Sequence, residues 1–357
     1  RLEVSNGSTA NLFDGGSGND TVYAYDAGSN NVVLAGDGDD RIQLYSYGSG
    51  GSNQIDGGLG NDQLNTSGSN NTITGGEGND TISGGGLQDG GSGDDRLNGG
   101  SNSDDTLLGG TGADTITGVG SRSMDSVDAG EGDDFVQLSL DAATTDISTI
   151  TLGTGADIIS LGNSQPGGTG SVVVTDFDVT EDAVDIEIFL TNRLSGWDGA
   201  SNPFGAGFMR LVADGADTLL QIDADGGGDG YLTTIRFNNT APGDFTDGNF
   251  SPPYPPDGSA PTGTLITGTS GADSLVGTIG ADTILGLDGN DTLEGGAAGD
   301  SIEGGDGSDR LLGEAGDDVI FGGNDNDILF GQDGDDILEG GQGNDILFGG
   351  RGSNVLR

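Results

Sequence analysis

From Gly268 to Arg357 the chain repeats one nine-residue unit ten times without a gap, Gly-x-x-Gly-x-Asp-x-apolar-x. The first position is Gly and the eighth Leu or Ile in all ten copies. The sixth is Asp in nine, at Asp273, Asp282, Asp291, Asp300, Asp309, Asp318, Asp327, Asp336 and Asp345, with Asn354 in the tenth. So short a fixed period selects a solenoid, in which each unit buries its apolar face only against its neighbours. Glycine admits φ > 0, so the unit can turn tightly. Residues six to nine alternate polar and apolar, as a short strand does. Two units make one coil, and every eighteenth residue returns to the same edge about 4.8 Å further along. Asp273, Asp291, Asp309, Asp327 and Asp345 therefore stack on one edge, and Asp282, Asp300, Asp318 and Asp336 on the other. Carboxylates stacked so closely call for a counter-charge. Calcium, which takes six to eight oxygens from carboxylates and carbonyls, fits that need.

Composition points the same way. Glycine makes up 75 of 357 residues and the formal charge is −49. A compact body with that charge repels itself. On the order of 15–20 calcium ions, about one per turn, would offset most of it. Binding and folding are then expected to be one event.

The N-terminal part carries the same unit at uneven spacing. Clear copies begin at Gly15, Gly57, Gly75, Gly90 and Gly109, and copies with another first residue at Ala35, Ala129 and Leu152. Their sixth residues are Asp20, Asp40, Asp62, Asp80, Asp95, Asp114, Asp134 and Asp157, separated by 15 to 23 residues. Nine residues before Asp40, Asp62 and Asp80 stand Asn31, Asn53 and Asn71. Asparagine is neutral and tolerates tight turns. Early coils are thus expected to pair a calcium-binding Asp edge with a hydrogen-bonded Asn edge. Asp105 and Asp125 lie nine residues before Asp114 and Asp134, so both edges are expected to bind there.

The segment Gly340-Gly341-Gln342-Gly343-Asn344-Asp345-Ile346-Leu347-Phe348 resembles the RTX (haemolysin-type) calcium-binding repeat. The resemblance covers most of the chain. It implies a right-handed parallel β-roll and export to the extracellular space or cell surface of a bacterium by type I secretion. It also implies calcium held by turn carbonyls and by the position-six carboxylates, here the nineteen Asp residues named above.

No nonapeptide is visible between Ser171 and about Phe250. Val172–Val174, Val184–Leu190, Phe208–Val212, Thr218–Ile222 and Leu232–Phe237 read as strands. Val174-Thr175-Asp176-Phe177-Asp178, Glu181 to Ile186 and Thr218 to Gly226 are similar to the C-terminal module of type I-secreted proteins such as serralysin-type proteases. In such proteins the module ends the chain; here further repeats follow. Asp223, Asp225 and Asp229 read either as a polar hairpin turn or as another calcium site. Residues 251–261 hold five prolines and read as a semi-rigid spacer or a segment ordered against a neighbour. The expected fold class is all-β, with two right-handed parallel β-rolls flanking a small β-sandwich-like module. The divisions are 1–162, 163–250, 251–262 and 263–357.

Much chemistry is excluded. The chain has no His and no Cys, which removes HExxH zinc sites, His-dependent nucleophilic catalysis, thiols and disulfides. Ten basic against 59 acidic residues disfavour nucleic acid. No apolar run approaches the roughly 20 residues that span a bilayer. No signal peptide is visible, and a chain that begins at Arg1 reads as a fragment or processed product. Two outward patterns point to partners. Position nine stacks Val276, Glu294, Leu312, Phe330 and Phe348 into a stripe that is either an internal ladder or a contact surface. Tyr23, Tyr25, Tyr45 and Tyr47 form either a cross-strand ladder or a platform for glycans. The reading favoured is a secreted, non-enzymatic, calcium-binding structural or cell-surface protein (surface-layer, fibre, matrix or adhesin component). It would self-associate or bind other surface components. The alternative is the non-catalytic tail of a larger secreted enzyme.

Overall fold

The computed structural model describes residues 2–5, 11–25, 30–45, 52–100, 103–120, 123–140, 146–165, 171–199, 201–227 and 230–357. It divides into two compact units, 1–194 with 209–251, and 195–208 with 252–357. Both are parallel β-rolls.

In the first unit, as far as Ala183–Asp185, successive strands alternate between an 11-stranded and a 12-stranded sheet, and each pairs in parallel with the strand one coil on. The inward side chains stack into columns. One runs through Ile42, Leu64, Ile82, Leu97, Ile116, Val136, Ile159 and Val184. The other runs through Phe13, Val33, Ile55, Ile73, Gln88, Leu107, Val127 and Ile150. All but Phe13 are 3% exposed or less, and Phe13 is also buried. A parallel sheet covered on one face by its partner sheet needs that apolar line. Gln88 breaks it. This residue sits in the shortest coil, where Ile82 and Leu97 are neighbours, and its Nε2 donates to the carbonyls of Gly84 and Asn98.

The sheets run on past residue 162. Ser171–Val174 pairs in parallel with Ile147–Thr154, and Ala183–Asp185 with Ile158–Ser160. Parallel coiling gives way only at Met209–Asp214, Asp217–Ile222 and Leu232–Phe237, whose mutual pairing is antiparallel. Phe177, Phe237, Phe245 and Phe250 cluster there with ring centroids 4.7 to 6.4 Å apart and close the apolar end of the stack. Val184–Leu190 is not one strand. The chain is extended at Ala183–Asp185 and helical over Glu187–Arg193. Phe189 and Leu190 are both buried while Ile188 is exposed, a pattern that suits a helix and not a strand of period two.

In the second unit the register is 18 residues throughout. Ile284, Ile302, Ile320 and Leu338 form one column in a six-stranded sheet. Leu293, Leu311, Leu329 and Leu347 form the other in a five-stranded sheet. The proline-rich segment is held by residues 195–208. Tyr254 is buried with its ring edge-on to Trp197 at 6.3 Å, and Asn202 Nδ2 donates to the carbonyls of Pro255 and Ser259.

Candidate metal edges

The position-six aspartates line the turns that join the two sheets of each roll. Along each row the N–H of one residue donates to the Oδ1 of the residue one coil on, except that the Asp125 N–H donates to Ser148 Oγ. In the first unit the chain of bonds runs Asp40 to Asp62, Asp80, Asp95, Asp114 and Asp134, each 2.7 Å. Asp20 starts the row and Asp157 continues it. In the second unit one edge links Asp273, Asp291, Asp309, Asp327 and Asp345 at 2.8 to 3.0 Å. The other links Asp282, Asp300, Asp318, Asp336 and Asn354 at 2.7 to 3.0 Å.

The second oxygen decides what these rows can do. Thirteen of these carboxylates are 3% exposed or less and keep an Oδ2 that no hydrogen bond reaches. They are Asp40, Asp62, Asp80, Asp95, Asp114, Asp134, Asp157, Asp291, Asp300, Asp309, Asp318, Asp327 and Asp336. A buried anionic oxygen without a partner is costly. The position-one glycine leaves a gap beside it. A Cβ on Gly286 would sit 2.5 Å from both Asp291 Oδ2 and the Gly304 carbonyl oxygen, and Gly304 and Gly322 repeat the arrangement. Ala35, Ala129 and Leu152 stand at the equivalent position for Asp40, Asp134 and Asp157. Among the described residues no three acidic side chains converge on one point. The oxygen donors on offer along each row are therefore fewer than three carboxylates at any one point, together with main-chain carbonyls. An all-oxygen set in a chain without His or Cys suits a hard divalent cation, and calcium takes such oxygens at 2.3–2.6 Å.

The proton affinities of these carboxyls carry the same strain. Burial, opposed by the N–H of the preceding rung, pushes Asp80, Asp114, Asp157, Asp300 and Asp318 up to about 7. It pushes Asp62, Asp95, Asp134 and Asp327 up to about 6. Neighbouring carboxylates add to the shift at all nine.

A family model of the RTX calcium-binding nonapeptide repeat (4 copies) matches residues 5–42, 25–64, 56–87, 89–104, 100–118, 267–302, 294–329 and 321–356, more than half of the chain. The chain belongs to the RTX calcium-binding nonapeptide repeat family. Such repeats bind calcium, and their proteins are typically exported. Among solved structures, a match is the solution structure of the AlgE6R3 subunit from the Azotobacter vinelandii mannuronan C5-epimerase. It is 23% identical and covers 45% of this chain and 79% of that chain, with a TM-score of 0.21. The comparison with curated proteins found no match. Among the described residues no helix is long and apolar enough to cross a membrane.

Not every RTX carboxylate is alike. Asp105 Oδ2 accepts from Gly100 N and Ser103 Oγ, and its Oδ1 from Gly86 N. Asp125 Oδ2 accepts from Gly120 N and Ser123 Oγ, and its Oδ1 from Asp105 N. Asp273 Oδ2 accepts from the N and Oγ1 of Thr269, and Asp282 Oδ2 from those of Thr278. Burial raises Asp282, but the bonds from Thr264 and Thr278 outweigh it and hold the carboxyl below its ordinary range. One rung lies outside the visible repeats. Asp182, 3% exposed, accepts from Asp157 N at 3.1 Å and from Asp178 N at 2.8 Å, so it terminates the row of the first unit. Only its register, two residues before Val184 in the apolar column, could have revealed it.

The asparagine edge is a hydrogen-bonded ladder. Asn11 Nδ2 donates to Asn31 Oδ1, Asn31 Nδ2 to Asn53 Oδ1 and Asn53 Nδ2 to Asn71 Oδ1, at 2.8 to 3.1 Å. Asn53→Ala removes the acceptor shared by the Asn31 N–H and Nδ2–H and the side-chain donor to Asn71 Oδ1, which keeps only its bond from the residue-53 N–H. A loss of about 1–3 kcal/mol for each buried group left unpaired is expected, read as a lower urea midpoint at saturating calcium.

The outward stripe is in register from Val276 to Phe348. Phe330 and Phe348 stack at 4.9 Å and the Arg310 guanidinium lies 4.7 Å over Phe330. Tyr25 and Tyr45 are register partners. Tyr47 and Asp229, like the Tyr25 side chain, lie outside the described residues.

Proposed function

We propose that this chain is an exported structural or cell-surface protein whose folding and assembly are switched on by extracellular calcium. The observation that carries this reading is the set of thirteen buried carboxylates with an unpaired oxygen. They run as one row in the first roll and two in the second. Asp40 through Asp157, and Asp291 through Asp336, would hold the ions together with turn carbonyls. Asp20 and Asp345 occupy the same rows nearer solvent. Bound calcium supplies the positive charge that these rows lack. Extracellular sites of this kind have dissociation constants of about 10⁻⁴ to 10⁻³ M. In a cytosol far below that concentration the carboxylates repel and the chain stays extended and exportable. Outside, the same residues become the rungs of a rigid rod. The repeats supply rod rather than pocket, which favours a scaffold over an enzyme. The stacked Phe330 and Phe348, with Phe348 half exposed, are a surface on which copies or other matrix components could meet.

Electron microscopy of the native material with and without chelator tests this proposal. Ordered lattices or fibres that disappear on chelation are expected. Monodisperse particles under both conditions would overturn the assembly role and leave an accessory module of a larger exported protein.

A further inference from the structure

We infer that left-handed backbone at positions two and four of a repeat selects its carboxylate for metal, and that Asp105, Asp125, Asp182, Asp273 and Asp282 hold no ion. This rests on the calcium reading above. In all thirteen repeats whose Oδ2 is buried and unpartnered, positions two and four both have positive φ. Gly58 at 103° and Gly60 at 115° before Asp62 are one example. In the repeats of Asp182, Asp273 and Asp282, neither position is left-handed among the positive-φ residues. There the position-two N–H, from Asp178, Thr269 or Thr278, points at Oδ2 and donates to it. The physical reason is direct. Rotating φ at position two to positive values turns that N–H off the carboxylate and leaves the oxygen free for a cation.

Glycine reaches this conformation at little cost, but five repeat residues hold it without being glycine. They are Leu287 (φ 82°), Ala298 (73°), Glu314 (75°), Asp325 (76°) and Gln332 (73°), out of seven such residues among those described. Each stands at position two or four of a repeat with an open oxygen, that of Asp291, Asp300, Asp318, Asp327 or Asp336. Five residues do not share a disfavoured conformation at equivalent sites by chance. They are positioning residues, which act on the cation through the carboxylate they leave unbonded. The first-unit edge that carries Asp105 and Asp125 is closed another way. The Gly100 and Gly120 amides and the Ser103 and Ser123 hydroxyls saturate those carboxylates, and the ladder of asparagines precedes them.

The test is calcium stoichiometry of the full chain by native mass spectrometry at saturating calcium. Thr278→Gly restores Gly-Gly-x-Gly before Asp282, because Gly280 already stands at position four. It should gain one ion, and Thr269→Gly should gain one at Asp273. The double variant Thr278→Gly/Asp282→Asn should return to the parent count. Asp282→Asn and Asp125→Asn alone should leave the count unchanged, whereas Asp300→Asn should lower it by one. A parent that binds calcium while neither Thr→Gly variant gains an ion, or while Asp282→Asn loses one, would overturn this inference and leave the function above intact. A parent that binds no calcium would overturn both.

Discussion

Exhaustive dialysis against EGTA at pH 7.5 is expected to abolish the sheet signal of this chain in far-ultraviolet circular dichroism, and added calcium to restore it. The magnitudes decide this. Thirteen buried Asp oxygens lack a partner. At about 1–3 kcal/mol for each unsatisfied buried group, and more when the group is charged, their sum equals or exceeds the roughly 5–15 kcal/mol by which a domain is stable. The apolar columns cannot outweigh that, because a coil contributes only two inward aliphatic positions of this kind, such as Ile302 and Leu311. Repulsion within a chain of formal charge −49 acts in the same direction. Cation binding removes both terms at once, so loading should appear as a cooperative transition and not as a local adjustment. Magnesium demands tighter octahedral geometry and keeps its water, so it should restore the signal poorly. An unchanged spectrum and melting temperature after chelation would refute this account of stability.

The second roll was legible in the sequence almost residue by residue, because one spacing fixes everything in it. An 18-residue coil puts Ile284 beside Ile302 and Asp291 beside Asp309, as found. The first roll was legible through its pairs of Asp and inward aliphatic, even where coils lengthen from 15 residues, between Ile82 and Leu97, to 23, between Val136 and Ile159. Three things were hidden. The rung at Asp182 has Phe177, Asp178 and Thr180 at the positions where every visible repeat keeps at least one glycine, so composition gave no sign of it. Gln88 replaces an aliphatic because its coil is short and two carbonyls need a donor, which is a tertiary demand. The distinction between Asp282 and Asp300 resides in the conformation of the residue four positions earlier. Thr278 against Gly296 carries that signal, but its meaning lies in where an N–H points.

Acid should partly replace calcium. Without metal, the chain is expected to regain sheet as the pH falls from 8 toward 5. Asp80, Asp114, Asp157, Asp300 and Asp318 have folded-state values near 7, and Asp62, Asp95, Asp134 and Asp327 near 6, with burial the leading cause. In the unfolded chain the same groups titrate near about 3.9. A carboxyl with a higher pKa folded than unfolded binds its proton preferentially in the fold. Its contribution to stability is therefore complete below about pH 4 and drains away as the pH climbs through 6 to 7. Protonation also removes the charge whose burial and mutual repulsion unfold the metal-free rows. The calcium-loaded protein must respond the other way. Protons compete for the same carboxylates, so the calcium needed for half-maximal folding should rise as pH drops below 7. A pH series of circular dichroism spectra with and without calcium reads both limbs. A metal-free chain most ordered at pH 8, or a calcium midpoint indifferent to pH between 5 and 8, would show that these buried carboxylates do not govern folding.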